Sequence, residues 1–170
     1  SIEGQVMKPS GTLTLSMPDG VPAGTVIRYT TDGKEPTENS SLYVVPINMH
    51  TSKVIRAKLF CDGYLSPRSV THSYIFFPRE MTLPIVSVVT DNGYFYDSKI
   101  GIYVEGSYTA GTPNYRYDWR RCANIEMFEA PGEPAVINQI CETRVKGGAT
   151  RDAKYKSLVF YANKRFGTKR

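Results

Sequence analysis

Turn signals recur through this chain at intervals too short to leave room for a long helix. Pro18-Asp19-Gly20, Asp32-Gly33 and Cys61-Asp62-Gly63 each place glycine where a turn can take a positive φ, and Pro131-Gly132 is a further turn signal. The segments between them alternate apolar and polar residues in the period of a β-strand. The alternation is clearest from Lys53 to Phe60, where Ile55, Ala57 and Leu59 make a core face and Val54, Arg56, Lys58 and Phe60 the other. In the first half the pattern predicts strands over residues 12–16, 25–31, 42–45, 53–60 and 69–77, a spacing that suits a small antiparallel sandwich. Twelve tyrosines and eleven prolines agree with strands and turns.

A boundary follows. Pro78 and Pro84 bracket a mixed polar stretch ahead of the apolar run that starts at Ile85. A cut near residue 80 divides the 170 residues into an immunoglobulin-like antiparallel sandwich, 1–78, and a second β-rich domain, 79–170. The fold class expected is therefore mostly β. Strands are expected over 85–90, 101–105, 120–129, 136–145 and 156–162, with a long aromatic loop over 106–118. No apolar run approaches the ~20 residues that span a bilayer, and no signal peptide is recognisable. A chain that opens on Ser1 in place of methionine is expected to be a processed or excised piece.

Cys122 and Cys141 are placed symmetrically about Pro131-Gly132. A hairpin in that register sets Ala123, Ile125 and Met127 opposite Ile140, Asn138 and Val136, and brings the two cysteines together on the other face. Either a disulfide or two neighbouring thiols satisfies the pattern. Cys61 stands alone, and His50 and His72 lack ligand spacing, so no zinc site is expected. With both histidines in the first half, a hydrolase triad is not expected either.

The net charge of +5 is concentrated near the end of the chain. There Arg144, Lys146, Arg151, Lys154, Lys156, Lys164, Arg165, Lys169 and Arg170 stand against Asp152 alone. Such a cluster suits a phosphate-bearing partner, an acidic surface, or the charged protection of an edge strand. Tyr155, Phe160, Tyr161 and Phe166 lie nearby, but strand-like alternation and the lack of an RNA-recognition motif leave nucleic acid out as a partner.

The run Ile27-Arg28-Tyr29-Thr30-Thr31-Asp32-Gly33-Lys34-Glu35-Pro36-Thr37, with Leu42-Tyr43, Ile55-Arg56-Ala57-Lys58, Gly63-Tyr64-Leu65-Ser66 and Tyr74, resembles the chitobiase and hexosaminidase C-terminal domain over residues 4–77. The resemblance implies an immunoglobulin-like accessory module of secreted bacterial proteins, acting as a spacer or a carbohydrate contact. Tyr43 and Tyr64 are its candidate sugar-stacking rings.

Residues 83–167 resemble the opening of the spore-coat protein H (CotH) kinase-like family. The resemblance is carried by Leu83-Pro84-Ile85-Val86-Ser87-Val88-Val89-Thr90-Asp91, Gly101-Ile102-Tyr103-Val104-Glu105-Gly106, Trp119-Arg120-Arg121 with Asn124-Ile125-Glu126-Met127-Phe128, and Arg144-Val145-Lys146-Gly147-Gly148-Ala149-Thr150-Arg151 with Lys156-Ser157-Leu158. It implies an atypical kinase-like domain that binds ATP and phosphorylates protein substrates, with magnesium held by acidic residues from later parts of the domain. On this chain it implies that Gly147 and Gly148 bring backbone N–H groups to a phosphate, that Arg151 holds a phosphate oxygen, and that Lys156 is the nucleotide lysine. The expectation is thus an N-terminal section of an exported cell-surface protein, inactive by itself and holding no cofactor of its own. ATP and Mg²⁺ belong to the full-length parent.

The residues also allow a reading from another class. In it the chain is a two-module adhesion or glycan-binding protein, with Tyr108, Tyr115, Tyr117 and Trp119 as contacts to a surface glycan.

Overall fold

The computed structural model describes residues 4–7, 11–76 and 79–167. The fold is mostly β. It divides into two compact units: residues up to Ser87 with Glu126–Asn138, and Val88–Ile125 with the residues from Gln139 onward.

The first unit contains β1 (Gln5–Met7), β2 (Gly11–Leu13), β3 (Val26–Thr30), β4 (Ser41–Leu42), β5 (Ile47–Met49), β6 (Lys53–Phe60) and β7 (Val70–Phe76). One sheet has the order β1-β7-β6-β3-β4, and β2 pairs with β5 in a second. β6 is the spine of the larger sheet. Its Leu59 and Ala57 lie opposite Ile27 and Tyr29 of β3, and its Ile55 lies opposite His72 of β7. Leu13, Ile47 and Met49 from the smaller sheet pack with Ile55 and Tyr74 from the larger in one buried cluster. Two sheets joined through such a core form the sandwich that alternation predicts.

Two strands are shorter than expected, for local reasons. Past Leu13 the backbone leaves the ladder, and Leu15 N–H donates to the Tyr43 hydroxyl at 3.1 Å. Past Leu42 only Tyr43 N–H continues to Ile27 O, at 2.9 Å, before Pro46 removes a donor. Phe77, at the end of the strand expected over 69–77, lies outside the described residues. β1 and β5 were not expected, since three residues are too few to show a period.

The hairpin of β9 (Arg121–Phe128) and β10 (Ile137–Lys146) keeps Met127 opposite Val136, whose N–H donates to Met127 O at 2.8 Å. Gly132 makes the turn at φ +81°, its N–H donating to Val6 O at 2.7 Å, and Pro134 bridges Gln5. Asn138 Nδ2 then donates to Glu126 Oε1 at 3.2 Å, which places these two side chains on one face. Of the two alternatives for Cys122 and Cys141 the disulfide does not form: Cys61, Cys122 and Cys141 are all free thiols, and Cys122 lies near enough to Cys141 to act on its thiol.

The core face of β9 differs from the one expected. Asn124, Glu126 and Phe128 are buried, whereas Ile125 and Met127 are only half-buried. Glu126 Oε1 also lies 3.4 Å from His72 Nδ1, which accepts Gly4 N–H at 3.1 Å. A Cβ on Gly4 would come within 2.5 Å of that carboxylate oxygen, so the first residue of this path has to be glycine. Burial, and then the Glu126 carboxylate, push the Tyr74 hydroxyl well above its ordinary value.

Thiol chemistry tests the difference between the two cysteines. Burial, and then the neighbouring Cys122 and Glu142, push the Cys141 thiol up to about 11, while Cys122 is exposed. Oxidised glutathione is expected to form a mixed disulfide at Cys122 and to leave Cys141 as a thiol. A mixed disulfide at Cys141 in the peptide mass map would overturn this assignment.

The second unit is built on the sheet ordered β11-β10-β9-β8, with β8 at Ile85–Val89 and β11 at Ser157–Tyr161. β10 and β11 are antiparallel, Val145 facing Leu158 and Glu142 facing Tyr161. Ala123, Cys141, Thr143 and Val145 form its buried side. No strand forms over 101–105, where one was expected. A short helix, α1 (Asn92–Tyr96), is capped by Asp91, whose Oδ1 accepts Gly93 N–H at 2.8 Å. Ile102 and Tyr103 then donate their N–H groups to Tyr94 O and Phe95 O at 2.9 and 3.0 Å, leaving none for a neighbouring strand.

Candidate functional site

The glycine pair and the basic residues of the sequence pattern lie between β10 and β11. Gly147 sits at φ +128°, a conformation open to glycine, and a Cβ there would run into Thr150 Oγ1. Gly148 opens the 3₁₀ turn Ala149–Asp152, and Lys156 directly precedes β11.

Arg151 points inward. Its Nε donates to Gly147 O at 2.7 Å, and its two terminal nitrogens to Arg116 O at 2.7 Å and Asp118 Oδ1 at 2.8 Å. With its side chain 14% exposed, it locks the glycine turn onto the segment around residue 117 and keeps little for a ligand.

Lys156 differs. Its backbone N–H donates to the Tyr103 hydroxyl at 2.8 Å, and its Nζ donates to Ala153 O at 2.9 Å. The ammonium lies 4.2 Å from the Tyr115 ring centre and 5.5 Å from that of Tyr103. Each such cation–π contact is worth about 0.5–2 kcal/mol. No carboxylate neutralises this ammonium among the described residues, and two of its three N–H groups have no acceptor there.

A charged network covers the opposite side of the sheet, signalled in the sequence only by the alternation Glu142, Arg144, Lys146. Asp118 pairs with both Arg144 and Arg151, and Glu142 pairs with Arg120 and Arg165 at 3.4 and 2.7 Å. Arg120 stacks 4.1 Å from the Tyr161 ring centre, and Arg144 Nε donates to the Tyr161 hydroxyl at 3.0 Å. The Arg151 hydrogen bond holds the Asp118 carboxyl below the usual carboxylate range. Burial works against the charge on Glu142, but the Asn163 hydrogen bond and the Arg165 and Arg120 charges outweigh it and hold that carboxyl low as well.

The four aromatic candidates do not form one platform. Tyr117 and Trp119 stack at 4.7 Å with 9° between their planes, and Tyr108 meets both edge-on at 5.4 and 4.7 Å. Arg121 lies 5.2 Å from the Trp119 ring centre, so much of the indole is covered by its own loop. Tyr115 is separate and buried beneath Lys156. In the first unit, Tyr43 packs against the core and Tyr29, whereas Tyr64 is exposed. That unit also holds a cleft of about 310 Å³ lined largely by aliphatic side chains, among them Leu15, Ile27, Ile55 and Leu59. Among the described residues, no group of three or more His, Cys, Asp or Glu side chains is placed to hold a metal ion.

Residues 3–71 match the family model of the chitobiase/beta-hexosaminidase C-terminal domain, and this part of the chain carries that domain. No curated protein and no solved structure matches the chain. Among the described residues, no helix is long and apolar enough to cross a membrane.

Proposed function

We propose that residues 83–167 are the β-rich opening section of a CotH-like, atypical kinase-like domain, and that the chitobiase-type domain before it is an accessory module of a protein working outside the cell. In this reading the Gly147-Gly148 turn and Lys156 contact the phosphates of ATP. The observation that carries it is the Lys156 ammonium, fixed by two tyrosine rings and left without a carboxylate partner among the described residues. Phosphoryl-transfer sites work mainly by positioning and charge stabilisation, and a fixed, unneutralised cation suits a phosphate. Arg151 is a positioning residue that shapes the turn.

The family resemblance puts the magnesium carboxylates in later parts of the domain, so the reading assigns nucleotide contact, and no catalysis, to this chain. The accessory module keeps Tyr64 as its exposed ring for a glycan.

Calorimetric titration of ATP into the parent and into Lys156→Ala tests the nucleotide contact. Losing a hydrogen bond from a charged group costs about 1.5–3 kcal/mol, so the variant is expected to bind at least about tenfold more weakly. Equal heats for the two proteins would sink the reading.

A further inference from the structure

Within the first unit, one ring nitrogen of His72 faces two tasks that exclude each other. Nδ1 accepts the Gly4 N–H at 3.1 Å, which requires a lone pair on that atom and so an uncharged imidazole. The same nitrogen stands 3.4 Å from Glu126 Oε1. A lone pair and a carboxylate oxygen do not attract, and Asn138 Nδ2 bridges them at 3.1 Å from the nitrogen and 3.2 Å from the oxygen. Glu126 is wholly buried, and its Oε2 has no hydrogen-bond partner among the described residues. His72 is the side chain among them placed to give it a cation, and at 25% exposure its ring takes up protons from solvent. A proton on Nδ1 turns the 3.4 Å contact into an ion pair, which is how a buried carboxylate is ordinarily held.

We infer that His72 is a pH-operated latch: uncharged, it holds the residue that leads into β1, and protonated, it lets go of Gly4 and clasps Glu126 on β9. Nδ1–H has no lone pair to offer, so the Gly4 N–H then faces a cation. Gly4 has little room to find another acceptor, because a Cβ there would come within 2.5 Å of Glu126 Oε1 and 2.9 Å of Ser73 O. The loosening stays local. Gln5–Met7 remain paired with Tyr74–Phe76, and Val6 O still accepts the Gly132 N–H. Around the imidazole, β9 contributes Glu126, its own strand Tyr74, and β6 Lys53, which lies opposite Tyr74 and donates to Asn48 O at 3.3 Å. Arg68 and Lys58 line a cleft together with His72, and Lys58 Nζ lies 3.3 Å from Glu35 Oε1. Glu126 is the carboxylate of this set within reach of the ring. Acidification therefore passes the grip of β7 from the leading strand to the hairpin.

The test is a nuclear magnetic resonance titration of the nitrogen-15-labelled whole chain from about pH 8 to about pH 5, the window in which imidazoles change charge. The His72 ring and the Gly4 amide are followed together, with the exposed His50 as the reference imidazole. Relative to an unfolded peptide at the same pH, the Gly4 amide is expected to exchange about tenfold faster once His72 is protonated, while the amides of β1 that bond to β7 keep their protection. In Glu126→Gln the His72 midpoint is expected to fall by about one pH unit, since the opposite charge that favours the proton is gone. Gly4 protection that ignores the His72 titration overturns the proposal. So does a ring that stays uncharged throughout, or a midpoint in Glu126→Gln equal to that of the parent. If Glu126→Gln does not fold, the Gly4 signal of the parent still decides.

Discussion

An Asn114→Ala variant is expected to lose about 1–3 kcal/mol of stability in the second unit, through the buried Gly101 carbonyl left without the donor that Asn114 supplies. Asn114 is wholly buried. Its Nδ2 donates to Ser98 O at 3.0 Å and to Gly101 O at 3.1 Å, and its Oδ1 faces Tyr108 N–H at 3.4 Å. Its own backbone N–H donates to Glu105 O at 2.6 Å, so one residue ties three parts of the long loop together. Gly106, at φ +67°, lies against the amide so closely that a Cβ there would collide with it. Trp119, the single tryptophan of the chain, stacks in this loop, and its emission during denaturant unfolding reports the loss. A midpoint equal to that of the parent, at equal slope, would show that these hydrogen bonds contribute little.

Leu13→Ala is the second large effect, in the first unit. Leu13 is 2% exposed and is the contribution of β2 to the cluster with Ile47, Met49, Ile55 and Tyr74. Truncating a buried leucine costs about 2–5 kcal/mol, the lost transfer energy plus the cavity left behind. Thermal melts followed by far-ultraviolet circular dichroism should fall by roughly 10 °C or more. Leu65→Ala is the control, because Leu65 is fully exposed and its removal should stay within about 0.5 kcal/mol. If both variants melt alike, the cluster is not what holds the two sheets together.

The strands with long, strict alternation were legible in advance. β6 has the bounds that its pattern predicts, and β3, β9 and β11 differ from theirs by a residue or two. The burial of Glu126 was not legible. It depends on His72 and Asn138 meeting its carboxylate, and His72 lies far earlier in the chain, so the local pattern carries no mark of it. At the candidate site Gly147 lies on a turn as its spacing suggests, whereas Lys156, expected as the first residue of the strand, stands just before it because β11 begins at Ser157. The role of Arg151 was hidden because its acceptors, Arg116 and Asp118, lie more than thirty residues earlier. The alternation over 101–105 misled because Gly101, Ile102 and Tyr103 hydrogen-bond to the carbonyls around α1.

The hairpin tip Glu126–Asn138 belongs to the first unit, although it is encoded about fifty residues after β7. The family match ends at residue 71, inside β7, and so omits this piece. Domain shuffling or cloning that treats the leading module as one continuous cassette would therefore carry away Gly4 and His72 without Glu126 and Asn138. The first unit as folded here is therefore not a continuous cassette, and cutting it out after β7 would leave the Gly4 and His72 contacts to Glu126 unmade.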